Sequence, residues 1–296
     1  MLKQREKQDV GGCGARVAEL KAGGADAEGC GAQVTEMKAG GADAGGCGAQ
    51  VTEMKAGGAP CRVECIGKES CWYSGLRDLW CEVFGDEPAY VDAFYDNWGD
   101  DIRGYVAVEG GEVASALTVF ALGDFEGASL RTIYAVCTSP KHRGRGLGSM
   151  LTSYAKDAII SEGSVPVLSP AEPSLINFYE PLGFQSTFTS ARIDSSEFKA
   201  GEDGYVEISP EEYWELREKL LADIPHVVPG ECTRRWVEKD YGTFLARFQD
   251  DGIAAGICVP GNEVLPECAA GEDYVQGMSA GLGQPCKKAY LGFAFE

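Results

Sequence analysis

Positive charge is scarce in this 296-residue chain: 26 lysines and arginines stand against 46 aspartates and glutamates, for a net charge of −20. That balance argues against a general nucleic-acid binder and against a protein that lies on anionic membranes. It favours cationic partners such as amines, or serves solubility alone. Long apolar runs are also missing; none approaches the roughly 18 residues that a membrane span needs. The start, Met1 to Asp9, carries charge but no apolar core of a secretory signal. A soluble, cytoplasmic protein without a membrane partner is therefore expected. Histidine is confined to His142 and His226, and none of the 12 cysteines forms a C-x-x-C pair. The spacing of Cys61, Cys65, Cys71 and Cys81 matches no standard zinc pattern. Reduced thiols and no metal are expected.

Residues 11–61 are three near-copies of a 17-residue unit, GGCGARVAELKAGGADA, EGCGAQVTEMKAGGADA and GGCGAQVTEMKAGGAPC, with Cys13, Cys30 and Cys47 in phase. Each unit holds only a valine and a leucine or methionine as sizeable apolar residues. That is too little to offset the entropy of ordering its glycines. Residues 1–60 are read as a low-complexity, disordered extension, dispensable for folding. A thiol-rich metal-binding or partner-binding tail is the alternative.

The folded part is expected to begin near Cys61, with a first strand over Arg62 to Ile66. Leu76, Leu79, Trp80, Val83 and Phe84 follow at helical spacing, and Val91, Phe94, Tyr95 and Trp98 repeat it after a Gly-Asp-Glu-Pro break. Apolar runs on both sides of Glu109-Gly-Gly-Glu112 predict a hairpin. A strand from Leu130 to Cys137, a glycine turn and a helix come next. Then follow a strand Val165 to Ser169, a short helix Pro173 to Tyr179 and a strand Phe184 to Thr189. Beyond 190, Ser209-Pro-Glu-Glu212 is a capping box opening a helix through Leu221. A hairpin is expected about Asp251-Gly252, and an apolar strand from Ala289 to Phe295.

The most informative run is Tyr134 to Gly148, YAVCTSPKHRGRGLG. It reads as strand, basic glycine turn and helix start, an arrangement that cradles anions with unpaired N–H groups. A P-loop would need Lys-Ser/Thr after the last glycine, where Ser149 and Met150 stand. A dinucleotide fingerprint would need G-x-G-x-x-G at an early strand with a downstream acid, and this run is G-x-G-x-G. Together with Asn177 to Phe184, NFYEPLGF, the turn resembles motifs A and B of the GNAT superfamily, the acyl-CoA-dependent N-acetyltransferases. Arg143-Gly-Arg-Gly146-Leu-Gly148 fits that family's Q/R-x-x-G-x-G/A pattern.

The resemblance covers about residues 61–190 and implies an α/β fold, an α+β mixed sheet of GNAT type. Residues 191–296 would be a C-terminal α+β region, possibly resembling a degenerate second half. The resemblance also implies acetyl-CoA as cosubstrate. Its pantetheine arm would enter between two splayed strands and bond the backbone of Val136 and Cys137. The N–H groups of Arg143, Gly144, Arg145, Gly146, Leu147 and Gly148 would hold the pyrophosphate, with the arginine side chains adding charge. Tyr179 would be the general acid toward the departing thiolate. The acceptor would be a small-molecule amine or a peptide N-terminus; the oligomeric state stays open. Two departures stand out: Glu172 occupies the place where many members carry an asparagine, and no glutamate precedes the glycine turn as a base. Glu82, Asp86, the terminal Glu296 or a water chain are the candidates for that role. A non-catalytic acyl-CoA-binding module is the alternative function.

Overall fold

In the computed structural model the described residues are 51–56, 59–191, 205–223, 225–240, 243–249, 252–259, 263–266, 274–281 and 289–290. The chain enters with strands β1 (Val51–Ala56) and β2 (Ala59–Ile66). Helices α1 (Tyr73–Phe84) and α2 (Pro88–Trp98) follow as the apolar spacing predicts. Leu76, Leu79 and Trp80 are buried on one, and Val91, Phe94, Tyr95 and Trp98 on the other. Gly85 ends α1 in the left-handed conformation, and Pro88 starts α2 where a missing N–H costs nothing.

Strands β3 (Ile102–Glu109) and β4 (Glu112–Phe125) form the expected hairpin, and β5 (Ala128–Thr138) pairs with β4 on its other side. Then come α3 (Leu147–Ser161), β6 (Val165–Leu168), the single turn α4 (Ile176–Tyr179) and β7 (Gln185–Ala191). From β2 to β7 the element order agrees with the sequence reading.

The first strand differs. β1 pairs with β2 through the whole of Val51–Ala56, inside the third repeat unit. The extension expected to run disordered to residue 60 therefore ends in a strand of the main sheet. Met54 packs on the core, Ala56 is buried, and Thr52 Oγ1 lies 3.2 Å from Tyr154 Oη on α3. The earlier repeat units lie outside the described residues.

The C-terminal region is not set apart from the sheet. It holds β8 (Tyr205–Ile208), α5 (Pro210–Leu220), β9 (Val228–Pro229), α6 (Glu231–Asp240), β10 (Thr243–Gln249), β11 (Gly252–Val259), β12 (Glu263–Pro266), β13 (Tyr274–Ser279) and β14 (Ala289–Tyr290). The main sheet runs β1-β2-β3-β4-β5-β6-β13-β7-β14, so a strand from the end of the chain separates β6 from β7. Only β5–β6 and β7–β14 are parallel within this order. β9 pairs with β4 as well, and Asn97 Nδ2 on α2 donates to the Cys232 carbonyl on α6 at 2.7 Å.

A smaller antiparallel sheet, β12-β11-β10-β8, carries the expected hairpin, with Gln249 opposite Gly252. Asp251 and most of the expected terminal strand lie outside the described residues. The capping box is present: Ser209 Oγ accepts from the Glu212 N–H, and Glu212 Oε2 accepts from the Ser209 N–H.

Side-chain alternation along the strands sends core to both faces of the main sheet. Val106, Val108, Phe120, Leu130 and Cys137 pack with α1, α2 and Trp236 of α6. Tyr105, Ala107, Leu117, Ile133 and Leu168 pack with α3, Tyr179 and Phe184.

Candidate active site

The site is built where β5 loses a neighbour. β5 pairs with β6 at Leu130, Arg131 and Thr132, opposite Val165, Pro166 and Val167. Past Thr132, no described pair joins the two strands, so residues 133–138 form one arm of an open fork. On its other edge β5 is irregular. Ala116 faces Cys137 but Thr118 faces Tyr134, so Ala135 and Val136 together oppose Leu117. This is a β-bulge, with Ala135 at a φ of 51°. An alanine held left-handed costs on the order of 1–2 kcal/mol. Ser115 braces the strand just beyond: its Oγ donates to the Cys137 carbonyl at 2.8 Å and lies 2.9 Å from Thr138 Oγ1. The bulge turns Val136 toward the α3 face, while Cys137 packs with the α1–α2 face.

After the bulge the chain crosses to α3 through a 3₁₀ turn at Pro140–His142 and two left-handed glycines, Gly144 (φ 73°) and Gly146 (φ 77°). Gly146 is the N-cap of α3 and offers no side-chain acceptor, and the first turn contains no acid. The leading N–H groups of Leu147, Gly148 and Ser149 are thus uncapped at the positive end of a 15-residue helix. The Leu147 side chain is buried, so it offers a ligand its backbone alone. Gly148 keeps the helix start narrow: a β-carbon there would stand 3.4 Å from Thr138 Oγ1 and 3.8 Å from the Phe178 ring.

The two arginines of the turn divide. Arg143 is exposed, its Nε donating to the Thr138 carbonyl at 3.2 Å. Arg145 instead donates through both Nη atoms to Glu109, at 2.7 and 2.8 Å. Arg145, expected with Arg143 to add charge to the cradle, has its guanidinium paired with the Glu109 carboxylate.

Tyr179 ends α4 with its ring buried, edge-on to Phe178 at 4.9 Å and to Phe184 at 6.0 Å. Val136, Leu147 and Tyr179 lie in or against the same apolar cluster. Lys156 Nζ on α3 donates to the Leu182 carbonyl at 2.8 Å and ties this segment down. The Tyr179 hydroxyl makes no hydrogen bond among the described residues. Burial pushes the phenol up to about 12, so it is neutral at physiological pH.

Cys137 is no nucleophile. Burial pushes its thiol up to about 12, and its Sγ lies 3.5 Å from the Ala116 carbonyl. Glu172 is exposed and accepts from Ser174 Oγ, so the departure from asparagine adds no buried charge.

Among the candidate bases, Asp86 accepts from Trp80 Nε1 at 2.6 Å, and Glu296 lies outside the described residues. Glu82 is exposed on α1, and its carboxylate is one of the groups that raise the Cys137 thiol. Above them Tyr134 stacks on Phe94 at 5.5 Å and meets Trp80 edge-on at 5.4 Å. The bulge, the Arg145–Glu109 pair and the place of β13 were not foreseen. No local pattern announces them, because each depends on segments distant in sequence.

Comparison with known proteins fits this geometry. The sequence model of the acetyltransferase (GNAT) family matches residues 72–184, which hold the site residues named above except the terminal Glu296. A conserved protein from Enterococcus faecalis, described as a probable N-acyltransferase, is similar with a TM-score of 0.50 at 16% identity; the match covers 68% of this chain and 56% of that one. A GCN5-related N-acetyltransferase from Kribbella flavida gives 0.48 at 14% identity, over 73% of this chain and 70% of that one. One from Anabaena variabilis gives 0.48 at 16%, over 73% and 59%. Such identities speak to fold alone, and this chain spans little more than half the length of the first and third. A comparison with curated proteins gave no match.

Proposed function

We propose that the chain, whose residues 72–184 match the sequence model of the acetyltransferase (GNAT) family, moves an acetyl group from acetyl-CoA to the primary amine of a small molecule. The observation that carries this reading is the fork between β5 and β6, bulged at Ala135, opening beside the uncapped start of α3. A thioester arm laid in the fork would meet the free backbone of Val136 and Cys137. The diphosphate would meet the N–H groups of the turn and of Leu147 and Gly148, with Arg143 the exposed cation beside them.

The chemistry needs no covalent enzyme intermediate, and the buried, protonated Cys137 is suited to none. The amine nitrogen attacks the thioester carbonyl, the C–N bond forms and the C–S bond breaks. The departing sulfur is met by the neutral Tyr179 phenol. The proton shed by the amine passes to water. An acidic chain draws in the cationic form of the amine, and loss of a proton must precede attack. The proposal keeps the cytoplasmic location expected from the sequence; among the described residues no helix is long and apolar enough to cross a membrane.

The test is amine-dependent release of the CoA thiol from acetyl-CoA, over a panel of small amines and peptide N-termini. Turnover with a small amine is expected. Thiol release that no amine accelerates would overturn the transferase reading.

A further inference from the structure

We propose that Glu109, acting through Arg145, is a positioning residue for the cofactor cradle, and that strand β1 of the repeat forms part of its support. This rests on the reading of the turn as the diphosphate site. Glu109 is the last residue of β3, and its carboxylate is nearly enclosed. Both of its oxygens accept from Arg145, at 2.7 and 2.8 Å, a planar two-bond pairing that fixes the guanidinium in orientation as well as place. The remaining reach of Arg145 is to the Ala56 carbonyl at the end of β1, 3.4 Å from Nη2. His142 Nδ1 stands 3.2 Å from Glu109 Oε2 and 3.3 Å from Arg145 Nη1. One guanidinium therefore joins β1, β3 and the turn.

The turn is anchored on one side by Arg143, bonded to the Thr138 carbonyl, and on the other by the buried Leu147. Between these anchors Arg145 is flanked by Gly144 and Gly146, both left-handed, and a β-carbon at either would have nothing within 4 Å. Glycines lose the most conformational freedom on ordering. The middle of the turn therefore depends on the side chain of Arg145. Freed from Glu109, the loop samples other conformations, and the N–H groups that converge on a diphosphate lose their common direction. The pairing also cancels the charge of Arg145, so its contribution is geometric.

That assignment has a sign that distinguishes it from the simpler one. If Arg145 were a phosphate ligand restrained by Glu109, Glu109→Gln would release a cation and tighten CoA binding. If Glu109 positions the turn, Glu109→Gln weakens binding by about tenfold. Arg145→Gln then weakens it to a similar extent, and the double variant is little worse than either alone, as expected for partners in one interaction. The loss falls on KM for acetyl-CoA rather than on kcat.

The experiment pairs calorimetric titration of the full chain with free CoA and amide hydrogen exchange of the ligand-free chain. Faster exchange over residues 143–149 in Glu109→Gln, with the middle of α3 unchanged, is the expected result. Unchanged exchange there, or tighter CoA binding by Glu109→Gln, overturns the proposal. If the wild-type chain fails to bind CoA while the variant's turn still exchanges faster, the diphosphate reading fails and the anchoring of the turn stands.

Discussion

Replacing Tyr179 by Phe lowers kcat for acetyl transfer by about 10²-fold or more, the scale of a lost general acid, and leaves CoA affinity within about twofold. The substitution is clean because the ring does the packing. Phe keeps the edge-on contacts with Phe178 and Phe184 and the place in the α3 cluster. The hydroxyl leaves no orphan behind, since no described residue bonds to it.

The raised pKa shapes the pH profile. Burial favours the neutral phenol, so its folded-state value of about 12 lies above the ordinary 10.0. The proton is therefore held at every lower pH, and kcat shows no falling alkaline limb from Tyr179 below about pH 12. With its pKa raised by burial, the phenol is a weaker acid than a thiol. Complete transfer to sulfur is uphill, and the first contribution of Tyr179 is a hydrogen bond to the charge developing there. A Tyr179→Phe rate within threefold of wild type removes the tyrosine from the reaction.

The second large effect concerns stability. A chain starting at residue 61 melts about 6–12 °C below one starting at residue 51, from roughly 3 kcal/mol of lost burial and pairing at about 2–4 °C per kcal/mol. The difference between the two is β1, residues 57–58 and the first two residues of β2. It removes the pairing partner of Arg62, Val63 and Glu64, the packing of Met54 and the buried Ala56. It also takes away the Thr52 contact with Tyr154 and the carbonyl that Arg145 reaches. The shorter chain should in addition bind CoA less tightly, through that same arginine. Equal melting temperatures would mean that β1 adds nothing to the folded sheet.

Tyr179 and strand β1 also mark the limit of what the sequence makes legible. The short helix ending in Tyr179 was readable because it and the glycine turn are local patterns. Helix α2 was readable for the same reason: Val91, Phe94, Tyr95 and Trp98 repeat at 3.6 and are all buried. The hairpin at Glu109 to Glu112 announces itself through two glycines between apolar runs.

β1 was not readable, because its apolar content is a valine, a methionine and an alanine amid glycines. It gains burial only from α3 and β2, which no composition count contains. The left-handed Ala135 leaves no trace either, since alanine has no preference for that conformation and only the mismatch between two strands imposes it. β13 follows β6 by more than a hundred residues, and its place between β6 and β7 is a long-range pairing without a local signal. Arg145 reads as a phosphate ligand by type and position. Only the fold brings Glu109 to it.

The central claim is that the fork and the start of α3 together bind a CoA thioester. The most direct measurement is calorimetric titration of the full chain with free CoA, beside the Gly148→Ala variant. The methyl of that variant meets Thr138 and Phe178 at ordinary contact distances, so it folds, and on the proposed reading it crowds the helix start that would hold the diphosphate. A wild-type Kd in the micromolar range, about −8 kcal/mol, and a variant weaker by about tenfold are expected. A folded wild-type chain that binds no CoA, or a Gly148→Ala chain that binds it equally well, would overturn the cradle reading.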